Sequence, residues 1–442
     1  MAPSLEQYKT EFESAQRRRR TAESAQQTRM REDALSRFLE LGFPTTRQEE
    51  WRFTSVAPIA SQSFTLAAPA VDAGPVDVTP FRFRDVCAAE LVFVDGHFAP
   101  ALSTRSALLG CVRAGSLAAA VSAHASEVET HLGRVAPFDR SPFVALNTAL
   151  FADGAYLHIP AHTVLEHPIH VLFVSTGGGA APLQSHPRVL AVLGDNSQAS
   201  IVESYAGPGG ARYFTNVVTE IVLGQNAVLD HYKLQQESAD AFHIGTVYLK
   251  GARSATCASH SVSLGGALVR NDVVAVLGGE GGGCTLNGLY LADGQRLVDN
   301  HTTIDHVMPH CGSREIYKGI LADRARGVFN GKIIVRPDAQ KTDAKQTNRA
   351  LLLSEDAQVN SKPELEIFAN DVKCTHGAAV GQLDEDAVFY LRSRGLDRSE
   401  ARRLLIHAFA GDVLNRMPLE SIRIGVEEIL QRQLAHALDA AA

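Results

Sequence analysis

Hydrophobic spacing divides the chain into three stretches of different character. In residues 4–41, Leu5, Tyr8 and Phe12, then Leu35, Phe38, Leu39 and Leu41, keep helical spacing on either side of a polar middle, and Gly42 and Pro44 close the segment. The spacing predicts helix there, with Arg17 to Arg20 as a solvated face. Gln48 to Thr54 contains the chain's only tryptophan, Trp51, expected to be buried where this region docks. From Ala57 to Pro80 the composition turns to Ala, Pro, Ser and Val, a connecting segment. Glu90 to Phe98 alternates as a strand with a hairpin turn at Asp95-Gly96, and Leu117 to Leu132 reads as helix. From about Phe143 helical periodicity vanishes for over two hundred residues, and short β-rich runs separated by Gly, Asp and Asn replace it.

Those runs repeat. Gly194-Asp-Asn and Gly224-Gln-Asn each open a strand, 30 residues apart; Gly251-Ala-Arg follows after 27 and the Gly279-to-Gly283 tract after 28. The glycines then fade while the spacing persists through Pro309, Pro337 and Ala369. Between these marks lies a second series of strands: Tyr213 to Leu223, Phe242 to Leu249, Val269 to Leu277, Leu297 to Val307, Val328 to Val335 and Val359 to Phe368. A unit of two strands and two turns cannot bury its own apolar face, so units must stack, with equivalent strands pairing in parallel. The fold class predicted is mainly β: a right-handed parallel β-helix with two main sheets around a narrow core, flanked by N- and C-terminal α-helical regions. Ala258, Ala344 and Gly377 are the small residues expected to point into that core. A β-sandwich is the competing architecture, but it would show turn signals every 8 to 12 residues or so without the longer register.

Leu383 restarts helical patterning. Val388, Leu391 and Leu396, then Leu404, Leu405, Ala408, Phe409, Val413 and Leu414, make two amphipathic stretches parted by Gly395, and a last helix runs from Ile422 to Leu438. These helices are expected to cap an open end of the β-helix or to offer a partner a docking surface. The organisation predicted is an N-terminal helical region and linker over 1–80, a β-helix core over 81–382 and a C-terminal helical domain over 383–442.

Bulk composition narrows the function. At 442 residues the chain exceeds one core, and with 45% hydrophobic residues no apolar run approaches a membrane span of about 18. The first twenty residues are too polar for a signal peptide. A net charge of −7 gives nucleic acid no support. Six cysteines, at 87, 111, 257, 284, 311 and 374, lack framework spacing, which fits reduced thiols in a cytoplasm. Without a C-x-x-C pair, the sequence gives no support to a zinc ribbon or ferredoxin-type cluster held by this chain alone. No phosphate-binding loop is present: Gly331-Lys332 runs into Ile333, and Gly278 to Gly283 resembles a phosphate cradle only in composition. Nor is there a nucleophile elbow.

Two places carry candidate chemistry. In Asp371-Val-Lys-Cys-Thr-His-Gly377, Cys374 and His376 lie two apart in an extended run, so a strand points both to one face. Thiolate and imidazole suit iron–sulfur or zinc chemistry; packing is the plainer role for the same pair. Within Asn300 to Cys311, His301, Asp305, His306, His310 and Cys311 gather, but His301 and Asp305 share a face that His306 opposes, so they cannot all meet one metal.

At this point the residues carry a resemblance. Asp299 to His306, Glu315-Ile-Tyr-Lys-Gly319, Asn330-Gly-Lys332 through Gln346-Thr-Asn348, Asp371 to Gly377 and Phe389 to Gly395 together resemble the SufB/SufD family of iron–sulfur assembly proteins, over roughly residues 90 to 415. Glu50 to Thr54 and Phe93 to Phe98 are similar to the SufD branch of that family, and the Cys-rich early segment of the SufB branch has no match. The resemblance implies a non-catalytic scaffold. A SufB-like subunit would pair with its β-helix, and a SufC-like ABC-type ATPase would sit on the C-terminal helices. A transient cluster would form at the subunit interface on His376, matched by motif, on partner ligands and, less securely, on Cys374. The SufB-like role itself is the alternative within the family, and the isolated chain pairing with itself is a further possibility of assembly. No motif decides whether a flavin binds. Outside the family, a β-helix carbohydrate-active enzyme would need carboxylates such as Asp299 and Asp305 on one face.

Overall fold

The computed structural model describes residues 5–19, 23–68, 76–83, 87–105, 107–177 and 181–439, with side chains to 434. Arg20 of the arginine run and residues 69–75 of the connecting segment lie outside the described residues. The core is a β-solenoid of about eight turns, flanked by helices at both chain ends. Each turn gives one strand to each of two parallel sheets. The first sheet runs from Gly154–Ile159 through Arg188–Leu193, Tyr213–Leu223, Phe242–Gly251, Leu268–Leu277, Leu297–His306 and Arg326–Val335 to Gln358–Ile367. The second runs from Ala89–Val94 through Ile169–Val174, Gln198–Ala206, Val228–Gln236, Thr256–Ser263, Gly283–Ala292, Gly312–Leu321 and Asp343–Leu352 to Lys373–Gly381. The coil period read from the sequence reappears as register, with Gln198, Val228, Thr256, Gly283, Gly312, Asp343 and Lys373 stacked one above another.

The repeating Gly-Asp-Asn corners have a physical reason. Asn196, Asn226, Ser254, Gly281, His310 and Lys341 adopt left-handed backbone, one per coil. Each sends its N–H to a carbonyl of the next coil, respectively Gln225, Arg253, Glu280, Pro309, Gln340 and Asp371, at 2.7–3.1 Å. Asn tolerates that conformation better than most residues. Two residues earlier the coils touch: a Cβ on Gly224 would come within 2.7 Å of the Asp195 backbone nitrogen, and one on Gly279 within 2.1 Å of that of Arg253. Glycine there permits the stacking distance.

Inward-facing residues alternate with outward ones along every strand. Ala344 points inward and is fully buried, as expected; Ala258 faces outward, half-buried, because Cys257 takes the inward position in its strand, and Gly377 faces outward too, in the row of Tyr232, Ile316 and Thr347, because His376 before it takes the inward position. The predicted hairpin is present, Ala89–Val94 against His97–Phe98, with φ of 48° at Asp95 and 82° at Gly96.

The helical expectations needed correction in three places. The first helix is two, Leu5–Arg19 and Ala25–Leu41, the second opened by a capping box on Ser24 and Gln27. The helix expected over 117–132 breaks at His124 into Leu117–Ala123 and Ala125–His131. Pro142–Leu150 is a helix in the stretch where periodicity vanishes; every one of its residues is buried, so it has no polar face to mark it.

Both helical regions lie on outer sheet faces. Tyr8, Phe12, Phe38 and Trp51 pack with Phe143 and with Phe214, Phe242, Leu268 and Leu297 of the first sheet. The C-terminal helices, Glu385–Ser393, Arg398–Leu414 and Glu420–Asp439, do not cap the solenoid's end as expected. Ile406, Val413, Leu414, Val426 and Leu430 cover Tyr232, Leu234, Val262, Leu264 and Leu289 on the outer face of the second sheet. That face is apolar in its middle coils and has to be covered. Polar contacts fix the seat: the Leu419 N–H donates to the Tyr232 hydroxyl at 3.1 Å, and Lys318 Nζ to the Phe409 carbonyl at 2.9 Å.

Candidate functional site: the open end and the polar interior

With the C-terminal helices on a side face, the last coil is left uncovered. Gln358–Ile367 pairs only with Arg326–Val335, and Lys373–Gly381 only with Asp343–Leu352; among the described residues no strand lies beyond them. Ile367, Phe368 and Val380 are exposed on this coil.

Cys374 and His376 stand on its inward side. Cys374 continues the row Leu229, Cys257, Cys284, Ser313, Ala344, and His376 continues the row His231, Ser259, Leu286, Glu315, Gln346. The shared face read from their spacing is therefore present. Their surroundings differ: His376 is exposed, whereas Cys374 is half-buried and packs with Ala344, Ile333 and Leu365, burial pushing its thiol up. Two soft ligands are too few to close a metal site. Among the described residues no group of three or more His, Cys, Asp or Glu is placed to hold a metal ion. The six cysteines form no disulfide.

The cluster from His301 to Cys311 is dispersed by the strand and the corner that follows it. His306 points inward, fully buried, 3.0 Å from the Ser313 hydroxyl, and burial lowers it to about 4 against a pull from Asp305. His310 is the left-handed corner residue of its coil, and Cys311 is buried with its thiol toward the Gly279 carbonyl at 3.3 Å. Asp305 is held by Arg336 through two contacts of 2.9 Å.

His301 belongs to a clasp between the solenoid and the N-terminal region. It lies 3.0 Å from Asp299 and 3.4 Å from Glu50. Arg270 joins them, donating to Asp299 at 2.8 Å and to the Glu50 carbonyl at 2.7 Å, with its guanidinium 3.9 Å from the centre of the Trp51 ring. The Thr54 hydroxyl donates to Asp299 as well. Burial opposes charge on both His301 and Asp299. Asp299, with Glu50, outweighs burial and the Arg270 charge to raise His301 to about 9, and Arg270, with His301 and Thr54, outweighs burial to lower Asp299 to about 2. Asp299 and Asp305 are thus committed to ion pairs, and neither stands free as the acid or base of a glycosidase.

Sequence reasoning missed the polar interior. Glu203, His231, Lys233, Glu237 and His243 all point inward and are buried. His231 bridges Glu203 at 3.0 Å and the Ser259 hydroxyl at 2.9 Å, Glu237 pairs with His243 at 2.7 Å, and Lys233 reaches Asn271 at 2.5 Å. Burial lowers Lys233 to about 8; it would raise both glutamates, but their histidine and hydroxyl partners hold them low. The line continues toward the open end through Asn300, Thr302, Glu315, Gln346 and Asn348. Polar residues recurring within single inward rows, Glu203 with Lys233 and His231 with Ser259, Glu315 and Gln346, were the signal that would have found it.

The class the structure defines is a helix-flanked parallel β-solenoid with one uncovered end, on which Cys374 and His376 stand side by side. The description "SUF system FeS cluster assembly, SufBD core domain" matches residues 173–409, and "SufBD protein N-terminal region" matches residues 2–171. An iron–sulfur cluster assembly SufBD family protein of Synechocystis is 36% identical over 89% of this chain and 88% of its own. The iron–sulfur cluster assembly protein SufD of Escherichia coli is 30% identical over 93% of each chain, and that of Bacillus subtilis 29% identical over 67% of this chain and 68% of its own. The chain belongs to the SufB/SufD family of iron–sulfur cluster assembly proteins, and within it is SufD-like. No described helix is long and apolar enough to cross a membrane.

Proposed function

We propose that this chain is a non-catalytic, cytoplasmic scaffold subunit of a complex that assembles iron–sulfur clusters. Its uncovered coil is the face for a SufB-like sister solenoid, and its C-terminal helices hold a SufC-like ABC-type ATPase. The nascent cluster is cargo, bound transiently at the subunit interface by His376, by partner ligands and by Cys374 if docking frees its thiol. The observation that carries this reading is the placement of His376, exposed, on the inward line of an edge strand that has no neighbour. An edge of that kind invites another strand. The relatives' names, which state iron–sulfur cluster assembly, support the reaction class. Phe389, Tyr390 and Leu404, exposed on the first two C-terminal helices, support a docking surface there.

The test is iron and acid-labile sulfide in the co-expressed complex. His376→Ala is expected to spare folding and partner binding and to cut both severalfold. Cys374→Ser is expected to do less, because its thiol is packed and protonated. Full loading of the His376→Ala complex would remove this residue from the mechanism. Mass analysis of the chain purified with its natural partners is expected to find an ATPase and a sister β-helix.

A further inference from the structure

The segments that carried the family resemblance converge inside the last coils. Asn300 and Thr302 face inward from the first sheet, and Glu315, Gln346 and Asn348 from the second, all buried. Their polar atoms are incompletely matched. Gln346 Nε2 donates to Glu315 Oε2 at 2.8 Å and Asn348 Nδ2 to the Ser361 hydroxyl at 2.8 Å. Asn300 Nδ2, Gln346 Oε1 and Asn348 Oδ1 have no protein partner, and the Thr302 hydroxyl has only the Glu315 carboxylate to act on. One such atom is ordinary; three on neighbouring inward positions are not, since a buried polar group without a partner is costly and water commonly supplies it. Glycine at 331 lets the Gln346 amide reach across to the first sheet: a Cβ there would meet Gln346 Nε2 at 2.2 Å.

The cluster is one coil from the outside. Gln346 is the register neighbour of His376, and Ser361 lies on the last strand of the first sheet, half-buried. In the other direction Asn300 contacts Asn271 at 3.2 Å, which receives Lys233.

We propose that these residues enclose a water-filled proton chamber, in which Glu315 takes up and returns protons through water ordered by Thr302 and Gln346, connecting the solenoid interior to the His376 face. The proposal rests on the scaffold reading for its use. A thiol that binds iron at the open end must lose its proton. The S–H bond breaks, the sulfur keeps the electron pair and gives it to iron, and the proton ends as an O–H on Glu315, whose carboxylate becomes a neutral acid. Glu315 suits that role because burial raises it to about 7, with Thr302 and Gln346 pulling it back, so it changes state near neutrality. The titratable groups facing it, the Cys284 thiol and the Tyr317 phenol, are both raised by burial and stay neutral, as does His306, lowered by burial.

The experiment is infrared difference spectroscopy on the full chain, wild type against Glu315→Gln, which needs no cluster. Its failure is therefore distinct from failure of the scaffold reading, which iron loading of His376→Ala tests. Expected is a protonated-carboxyl band, absent in Glu315→Gln, that disappears with a midpoint near 7. On mixing into D2O the band should shift quickly in wild type and about tenfold more slowly in Gln346→Leu, which fills the chamber with hydrocarbon. Thr302→Val is the second sealing variant should Gln346→Leu fail to fold. No protonated band below neutrality overturns the proposal. So does deuterium uptake at the same rate in wild type and in the folded sealing variant.

Discussion

His301 keeps a proton because two carboxylates and a folded N-terminal segment surround it. Its value of about 9 lies above the ordinary histidine value of about 6.5. Its contribution to stability is therefore complete below about pH 6.5 and is lost as pH rises through 9. Asp299, lowered to about 2, contributes above about pH 4 and loses its share only as pH falls toward 2. The thermal midpoint is expected to fall between about pH 6.5 and 9 in wild type, and this loss should be absent from His301→Ala. At pH 6 or so that variant should already be destabilised by about 3 kcal/mol, since it strands the buried Asp299 without one of its partners. Denaturant unfolding of both proteins at two pH values measures each effect. A His301→Ala protein of unchanged stability would show that Arg270 and Thr54 suffice to hold Asp299.

The element that sets the solenoid's pitch is the left-handed corner. Ser254 occupies it with φ of 55°, where glycine is at ease and a β-branched residue is not. Ser254→Gly is expected to stabilise by about 1 kcal/mol and Ser254→Val to destabilise by at least about 1. Urea unfolding reads both, and equal midpoints would deny the corner its role. These corners were legible in the sequence because glycine and asparagine have few other reasons to recur at coil spacing. The strands between them were legible from their β-rich runs, and Cys374 and His376 from simple alternation. Other features left no local trace. Pro142–Leu150 is buried all round, so its sequence lacks an amphipathic stripe. The C-terminal helices are amphipathic wherever they pack, so their pattern could not distinguish a side face from an end. Glu203, Lys233 and Glu315 look like solvent-facing strand residues until the coil register turns them inward.

For the whole molecule, the side-face seat of the C-terminal helices separates two surfaces. Arg402 and Arg403, half-buried and exposed respectively, lie on the helix Arg398–Leu414, which packs on Gly283–Ala292 and Gly312–Leu321. Charge reversal at both is expected to reduce co-purification of the ATPase severalfold while leaving the sister solenoid bound. Pull-down with each partner decides it, and loss of both together would mean that the two surfaces are not independent. The two ends of the solenoid are also unlike. The early end finishes in short antiparallel pieces, His97–Phe98 on one sheet and Arg113–Ser116 on the other, while the late end offers two full-length edges. A rod that is sticky at one tip only cannot polymerise. If the late edges pair as proposed, the rod joins tip to tip once, with a sister or with its own copy, and the union covers the full-length edges left open among the described residues. Blunting one end thus works as a chain terminator, and it limits any assembly through these edges to pairs however concentrated the protein becomes.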